Sequence, residues 1–219
     1  MTTILLVHGA WHQPAGWEKL ARELHALGYA TMAPALPSAG TAPTGDVHDD
    51  AAVIRQAIDA IDGPVVVVAH SYAGIPVTEA AAGVRHIIYL AAYLPDAGES
   101  MYTIHGMPEP ADKSGLFPRT ADPRTALYGD LSDEEAAAAA AQLVDQSLAS
   151  FATPVTRAVW HDVPSTYIVT DEDRSLPVEL QNELARRARD VRHLPSSHSP
   201  QLSMPAELAK LIDDIIRGD

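Results

Sequence analysis

Val65-Val66-Val67-Val68-Ala69-His70-Ser71-Tyr72-Ala73-Gly74 joins a run of four valines to a serine set among small residues. Valine's branched Cβ stiffens χ1 and suits a pleated strand. A strand with no polar alternation has apolar neighbours on both faces, the condition of a parallel sheet covered by helices on both sides. On either side of it, short apolar runs at 4–7, 30–34, 86–90, 167–170 and 191–194 read as further strands. Helical patterns fill the gaps: 17–27 stopped by Gly28, 49–61 ending at Asp62-Gly63-Pro64, 75–82, 178–189 and 206–216. The fold class is therefore α/β, a mostly parallel sheet of about six strands with helices on both faces, with 1–219 expected as a single domain.

The alternation breaks between residues 95 and 163, where Pro and Gly are frequent and no strand is expected. This predicts a short helical cap inserted at about 96–162, before the penultimate strand. Its clearest helix opens at Ser132, whose hydroxyl can accept the amide of Glu135 while Glu135 reaches back, and the alanines from Ala136 to Ala141 follow. The stretch 101–124 reads as irregular. Residues 1–7 enter an apolar run at once, with no basic n-region and no small-residue cleavage site, and read as the first strand.

Composition narrows the function. With 47% hydrophobic and 20% charged residues, the chain has the make-up of a packed globular protein. Its formal net charge of −14 repels nucleic acid and anionic lipid, and its 15 basic residues form no cluster that would overcome this. No run reaches the ~18 apolar residues of a membrane span. Zero cysteines exclude disulfides and thiolate chemistry and fit a reducing compartment, so a cytoplasmic location is expected. The alanine richness matches the bias of GC-rich bacterial genomes. No glycine loop for phosphate is present, so no nucleotide, flavin or other cofactor is expected.

Ser71 stands where the most apolar strand meets the next helix, the setting of a nucleophile elbow. Such a turn needs small residues two positions either side of the nucleophile, and Ala69 and Ala73 occupy those positions instead of the more usual glycines. A serine hydroxyl becomes a useful nucleophile when an imidazole takes its proton and a carboxylate orients that imidazole. His198 lies in the loop after the last strand, while His193, inside that strand, is the weaker candidate. Asp171, Glu172 and Asp173 all follow the preceding strand, and Asp173 is preferred. Both loops fall at carboxyl ends of strands, where functional loops of open α/β sheets gather. After the first strand, Gly9 allows the chain to turn a main-chain N–H toward the elbow, so the amides of Ala10 and Tyr72 are the expected oxyanion hole. His8 and His12 have the spacing of an i, i+4 metal pair, but no helix is expected there and no third ligand has suitable spacing, so no metal is predicted.

Val7-His8-Gly9-Ala10-Trp11-His12 with Trp17, Ala69-His70-Ser71-Tyr72-Ala73-Gly74, Thr170-Asp171-Glu172-Asp173 and Ser197-His198-Ser199-Pro200 together resemble the α/β-hydrolase superfamily. The likeness is nearest to its branch of plant methylesterases, hydroxynitrile lyases and bacterial esterase relatives, and covers nearly the whole chain. In that branch the acid is the second aspartate of the Thr-Asp-x-Asp pattern, which again implies Asp173. The plant hydroxynitrile lyases carry a threonine where this chain has Gly9 and a lysine directly after the catalytic histidine, where this chain has Ser199. The resemblance thus implies ester hydrolysis over cyanohydrin cleavage.

Trp11, Met101, Phe117 and Trp160 either line an apolar substrate pocket with Tyr72 or form the cap's own small core. The expected partner is a small-molecule ester of small to medium size and largely apolar character. Two further readings stay open on the residues alone: the same triad used for lactone opening or a natural-product tailoring step, and a ligand-binding protein of hydrolase descent.

Overall fold

The computed structural model describes residues 2–218. Its main sheet has six parallel strands: β1 (Thr3–Val7), β2 (Ala30–Met32), β4 (Val65–His70), β5 (His86–Leu90), β8 (Ser165–Thr170) and β9 (Asp190–Leu194), in the order β2-β1-β4-β5-β8-β9. Strand alternation splits the apolar residues between two cores. Leu5, Val7, Val65, Val67 and Ala69 face one, and Ile4, Leu6, Val66 and Val68 face the other. The valine run is buried throughout because each side chain has a helical layer to meet.

The first core is closed by α2 (Val47–Asp59), α3 (Gly74–Ala80) and α8 (Val178–Ala185), through residues such as Ile54, Ile75 and Leu184. The second is closed by α1 (Glu18–Ala26) and, after the short α9 (Pro200–Ser203), the long α10 (Pro205–Gly218), through Leu20, Leu24, Leu208 and Ile212. Strand ends match the expected runs closely, except that β2 stops at Met32, before the proline that lacks a ladder donor.

The segment between β5 and β8 differs from expectation. It carries four short helices, α4 (Met101–Ile104), α5 (Pro123–Ala126), α6 (Asp133–Ala141) and α7 (Leu148–Ala152), and it also contains two strands. Here β6 (Leu116–Phe117) pairs antiparallel with β7 (Asp145–Ser147), which pairs in turn with β3 (Ala39–Gly40). Asp145-Gln146-Ser147 has no apolar period, so nothing local marks it as a strand; its partners across the chain do. Leu127, Tyr128, Leu131, Ala136 and Leu143 form a third, small core in this segment.

The chain runs from β1 to the outer β2 and then back to β4 on β1's other side. This reversal leaves a crevice at the carboxyl ends of β1 and β4, where Val7 and Ala69 are register partners. The loop after β1 and the turn after β4 therefore open side by side.

Candidate active site

β4 ends at His70 in extended conformation, and Ser71 follows at φ 55°, left-handed backbone that L side chains rarely adopt. Residues 71–73 form one tight turn and α3 continues from Gly74. No loop separates strand from helix, so the serine is held on a strained corner by structure on both sides. Ala69 and Ala73 fit the corner, both fully buried. The closest approach is at Gly74, where a Cβ would lie 1.8 Å from the carbonyl oxygen of Tyr93, in the loop after β5. That loop is itself tied to the corner, since the Tyr93 amide donates to Ser71 O at 3.1 Å.

The Ser71 hydroxyl lies 2.9 Å from His198 Nε2, and His198 Nδ1 lies 2.7 Å from Asp173 Oδ2. With Nδ1–H donating to the carboxylate, Nε2 is left to accept the hydroxyl proton. Asp173 Oδ2 also accepts from Thr170 Oγ1 and Gln181 Nε2, both at 2.9 Å, and Oδ1 accepts the amides of Ser175 and Leu176. Burial pushes this carboxyl up, but the adjacent His198 and these donors outweigh it and hold it below the usual aspartate value. It is ionised where it meets the imidazole. The competing residues pair with each other instead: Asp171 Oδ1 and His193 Nδ1 form an exposed pair at 2.7 Å. Asp173 and His198 are buried and Ser71 is half-exposed, so solvent reaches the trio from the serine side.

Two side chains hold the His198 loop. Neutral His70 donates from Nε2 to His198 O at 2.8 Å; burial first, then the neighbouring histidines, keep its pKa well below the ordinary value. Asp130 accepts from the Ser197 amide at 2.9 Å, from the Ser203 hydroxyl at 2.8 Å, and from the Ser197 hydroxyl. Sequence reasoning found neither residue, because both act on the backbone of a loop far away in the chain.

The turn after β1 departs from expectation in one detail. Gly9 is not the left-handed residue; Trp11 is, at φ 62°. What Gly9 supplies is space, since a Cβ there would sit 3.0 Å from both His70 Nδ1 and the Ser71 side chain. The Ala10 amide makes no hydrogen bond among the described residues, and that of Tyr72 opens a helical turn, where amides lack intrahelical acceptors. His8 and His12 use both ring nitrogens each: His8 on Gly9 O and the Leu36 amide, His12 on Ala10 O at 2.7 Å and Tyr128 OH at 3.0 Å. Burial lowers both to about 4, so at neutral pH they are uncharged braces of this turn. Among the described residues no group of three or more His, Cys, Asp or Glu is arranged to hold a metal ion.

Trp11 and Phe117 stack at 6.0 Å, and both pack on Phe151, which lies 4.9 Å from the Tyr72 ring. Met101 is buried in the same core. Phe151 carries no motif, and only its contacts reveal it. Trp160 packs against this core as well; its indole donates to Pro95 O at 2.8 Å, its ring stacks on His161, and it lines a surface cleft with Pro164 and Arg187. A second cleft, of about 370 Å³, lies between α1 and α6, lined by His12, Lys19, Tyr128 and Leu131; none of Ser71, Asp173 and His198 lines it.

The sequence matches the family described as "Alpha/beta hydrolase family" over residues 4–211. It is 32% identical over 241 residues to a probable hydrolase of Phoma sp., with 97% of each chain covered. Among solved structures, a pyrethroid hydrolase from Sphingobium faniae superposes with a TM-score of 0.79 at 25% identity, covering 98% of this chain and 96% of that one. A methylesterase protein from Arabidopsis superposes with a TM-score of 0.84 at 23% identity over 100% of both chains, a likeness of fold.

Proposed function

Because the chain belongs to the alpha/beta hydrolase family, we propose that it is a serine esterase, cleaving a small to medium, largely apolar carboxylic ester through an acyl-serine intermediate. The observation that carries this reading is the unbroken chain from Ser71 Oγ to His198 Nε2 at 2.9 Å and from His198 Nδ1 to Asp173 Oδ2 at 2.7 Å, on a corner with Ser71 at φ 55°. Relatives named as methylesterases and as a pyrethroid hydrolase support the ester over other bonds.

Ser71 Oγ attacks the ester carbonyl carbon as its proton moves to His198 Nε2. The carbonyl oxygen becomes an oxyanion held by the amides of Ala10 and Tyr72, while ionised Asp173 stabilises the imidazolium. Collapse expels the alcohol, which takes the proton back from His198. Water then repeats the sequence on the acyl-serine and releases the acid. Residues 96–162 act as the cap, with Phe117 and Met101 joining Trp11 and Phe151 as the apolar wall against the acyl or alcohol group. Ser199 after His198 offers no ammonium to a departing cyanide.

A fluorophosphonate probe followed by mass spectrometry of the labelled peptide tests this reading without knowledge of the substrate. Labelling is expected at Ser71 and is expected to vanish in His198→Ala. An unlabelled, folded protein would turn the assignment toward ligand binding on a hydrolase scaffold.

A further inference from the structure

Asp50 is fully buried in the first turn of α2, yet no part of the hydrolytic scheme uses it. Three protein donors converge on it. Oδ1 accepts the Ser38 amide at 3.0 Å, and Oδ2 accepts both the Ser38 hydroxyl and the Tyr72 hydroxyl, the latter at 2.6 Å. Tyr72 is the residue after the nucleophile, and its amide is one of the two assigned oxyanion donors.

The second branch leads to the other donor. Ser38 Oγ, having given its proton to Asp50, accepts from Gln146 Nε2 at 2.7 Å. Gln146 is fully buried in β7, and its Oε1 accepts the Trp11 amide at 3.2 Å. Trp11 O is held as well, by the amide of Val144 at 2.8 Å. Trp11 is the left-handed residue directly after Ala10, and its two backbone bonds pin the peptides on either side of it, the first of which adjoins the Gly9–Ala10 peptide that carries the Ala10 amide. Every hydrogen in this branch points the same way, from Trp11 N–H to Gln146, from Gln146 to Ser38 and from Ser38 to Asp50. Chains polarised in this manner reinforce one another and end best on an anion.

Given the assignment of the Ala10 and Tyr72 amides as the oxyanion hole, on which this inference rests, we infer that Asp50 is its positioning residue. Through the Tyr72 phenol on one side and Ser38, Gln146 and Trp11 on the other, one carboxylate sets the relative placement of both donors. It touches no reacting atom. Burial pushes its carboxyl up to about 6 even with the three donors favouring the anion, which leaves it mostly ionised at neutral pH.

Asp50→Asn, Tyr72→Phe and the double variant test the inference, with fluorophosphonate labelling of Ser71 and steady-state hydrolysis of p-nitrophenyl butyrate as readouts. Tyr72→Phe keeps the ring and the amide and removes only the hydroxyl. Misplaced donors lower kcat and leave KM nearly unchanged. The expectation is a fall in kcat of about 10- to 100-fold for Asp50→Asn and of about 3- to 10-fold for Tyr72→Phe, with the double variant no slower than Asp50→Asn alone. If Asp50→Asn does not fold, the kcat of Tyr72→Phe decides. Wild-type protein labelled at Ser71 with both single variants within twofold of its kcat, or a loss confined to KM, overturns the positioning role and leaves the esterase reading intact. Wild-type protein that takes no label overturns both.

Discussion

At the scale of single residues, the site is decided by which of several chemically equivalent side chains finds a buried partner. Asp171 and Asp173 lie two positions apart, yet one forms an exposed pair with His193 while the other accepts five hydrogen bonds in a dry pocket. Asp173→Asn is expected to lower kcat by about 10³–10⁴-fold, because an amide no longer holds the imidazole tautomer, whereas Asp171→Asn stays within about twofold of wild type. Ester turnover by the two purified variants checks this, and equal losses would sink the assignment. Gly74 makes a second case. A methyl group there would collide with the Tyr93 carbonyl at 1.8 Å, and backbone cannot step aside as a side-chain tip can. Gly74→Ala is expected to cost at least about 3 kcal/mol in urea unfolding; a cost under about 1 kcal/mol would mean that the Tyr93 loop yields. The sequence pattern drew attention to Ala69 and Ala73, whereas the steric limit is one residue further on.

Among elements, what was legible in the sequence depended on length and on periodicity. The buried valine strand and the amphipathic helices declare themselves because each residue's environment repeats every two or every 3.6 positions. The start of α6 was also legible, since Ser132 and Glu135 cap each other's backbone amides as their spacing implies. Ser132→Ala is expected to cost about 1 kcal/mol, measured by urea unfolding, since it frees one amide that solvent then satisfies. Helix α2 starts at Val47, two residues before the start that its sequence pattern implies. Its box is built from Asp46 and Asp49, and a short aspartate at the third helical position is a weaker signal than glutamate. β6 and β7 were missed altogether. Elements of two and three residues have no period, and β7 is a strand only because β3 and the main body lie beside it.

For the whole molecule, the notable cost is three buried histidines grouped under one turn. His8 and His12 titrate near 4 in the folded protein, and burial holds His70 well below the ordinary value too. Each takes up a proton near pH 6.5 once unfolded. As pH falls from 6.5 toward 4 the unfolded chain therefore binds protons that the native chain refuses, and stability drops by up to roughly 1.4 kcal/mol per pH unit for each histidine. Asp50, raised to about 6, works the other way over the same window, one group against three. Net stability is expected to be full above about pH 6.5 and to decline steadily to pH 4; urea midpoints that stay level between pH 7 and pH 4.5 would show that these histidines charge freely in the native state. Seen at this scale, the sequence by itself determined the parallel sheet, its helical covers, the serine corner and the chain order of serine, acid and histidine, because strand and helix periodicity and turn chemistry are properties of near neighbours. Only the tertiary structure decided that Gly74 rather than the alanines limits the corner, that Phe151 packs with Trp11, Phe117 and Tyr72, and which hydrogen bonds Asp50, Gln146 and Asp130 make. Those facts rest on hydrogen bonds and contacts between residues as far apart in the chain as Trp11 and Gln146, and partnership across such distances exists only once the sheet has brought its loops to one edge.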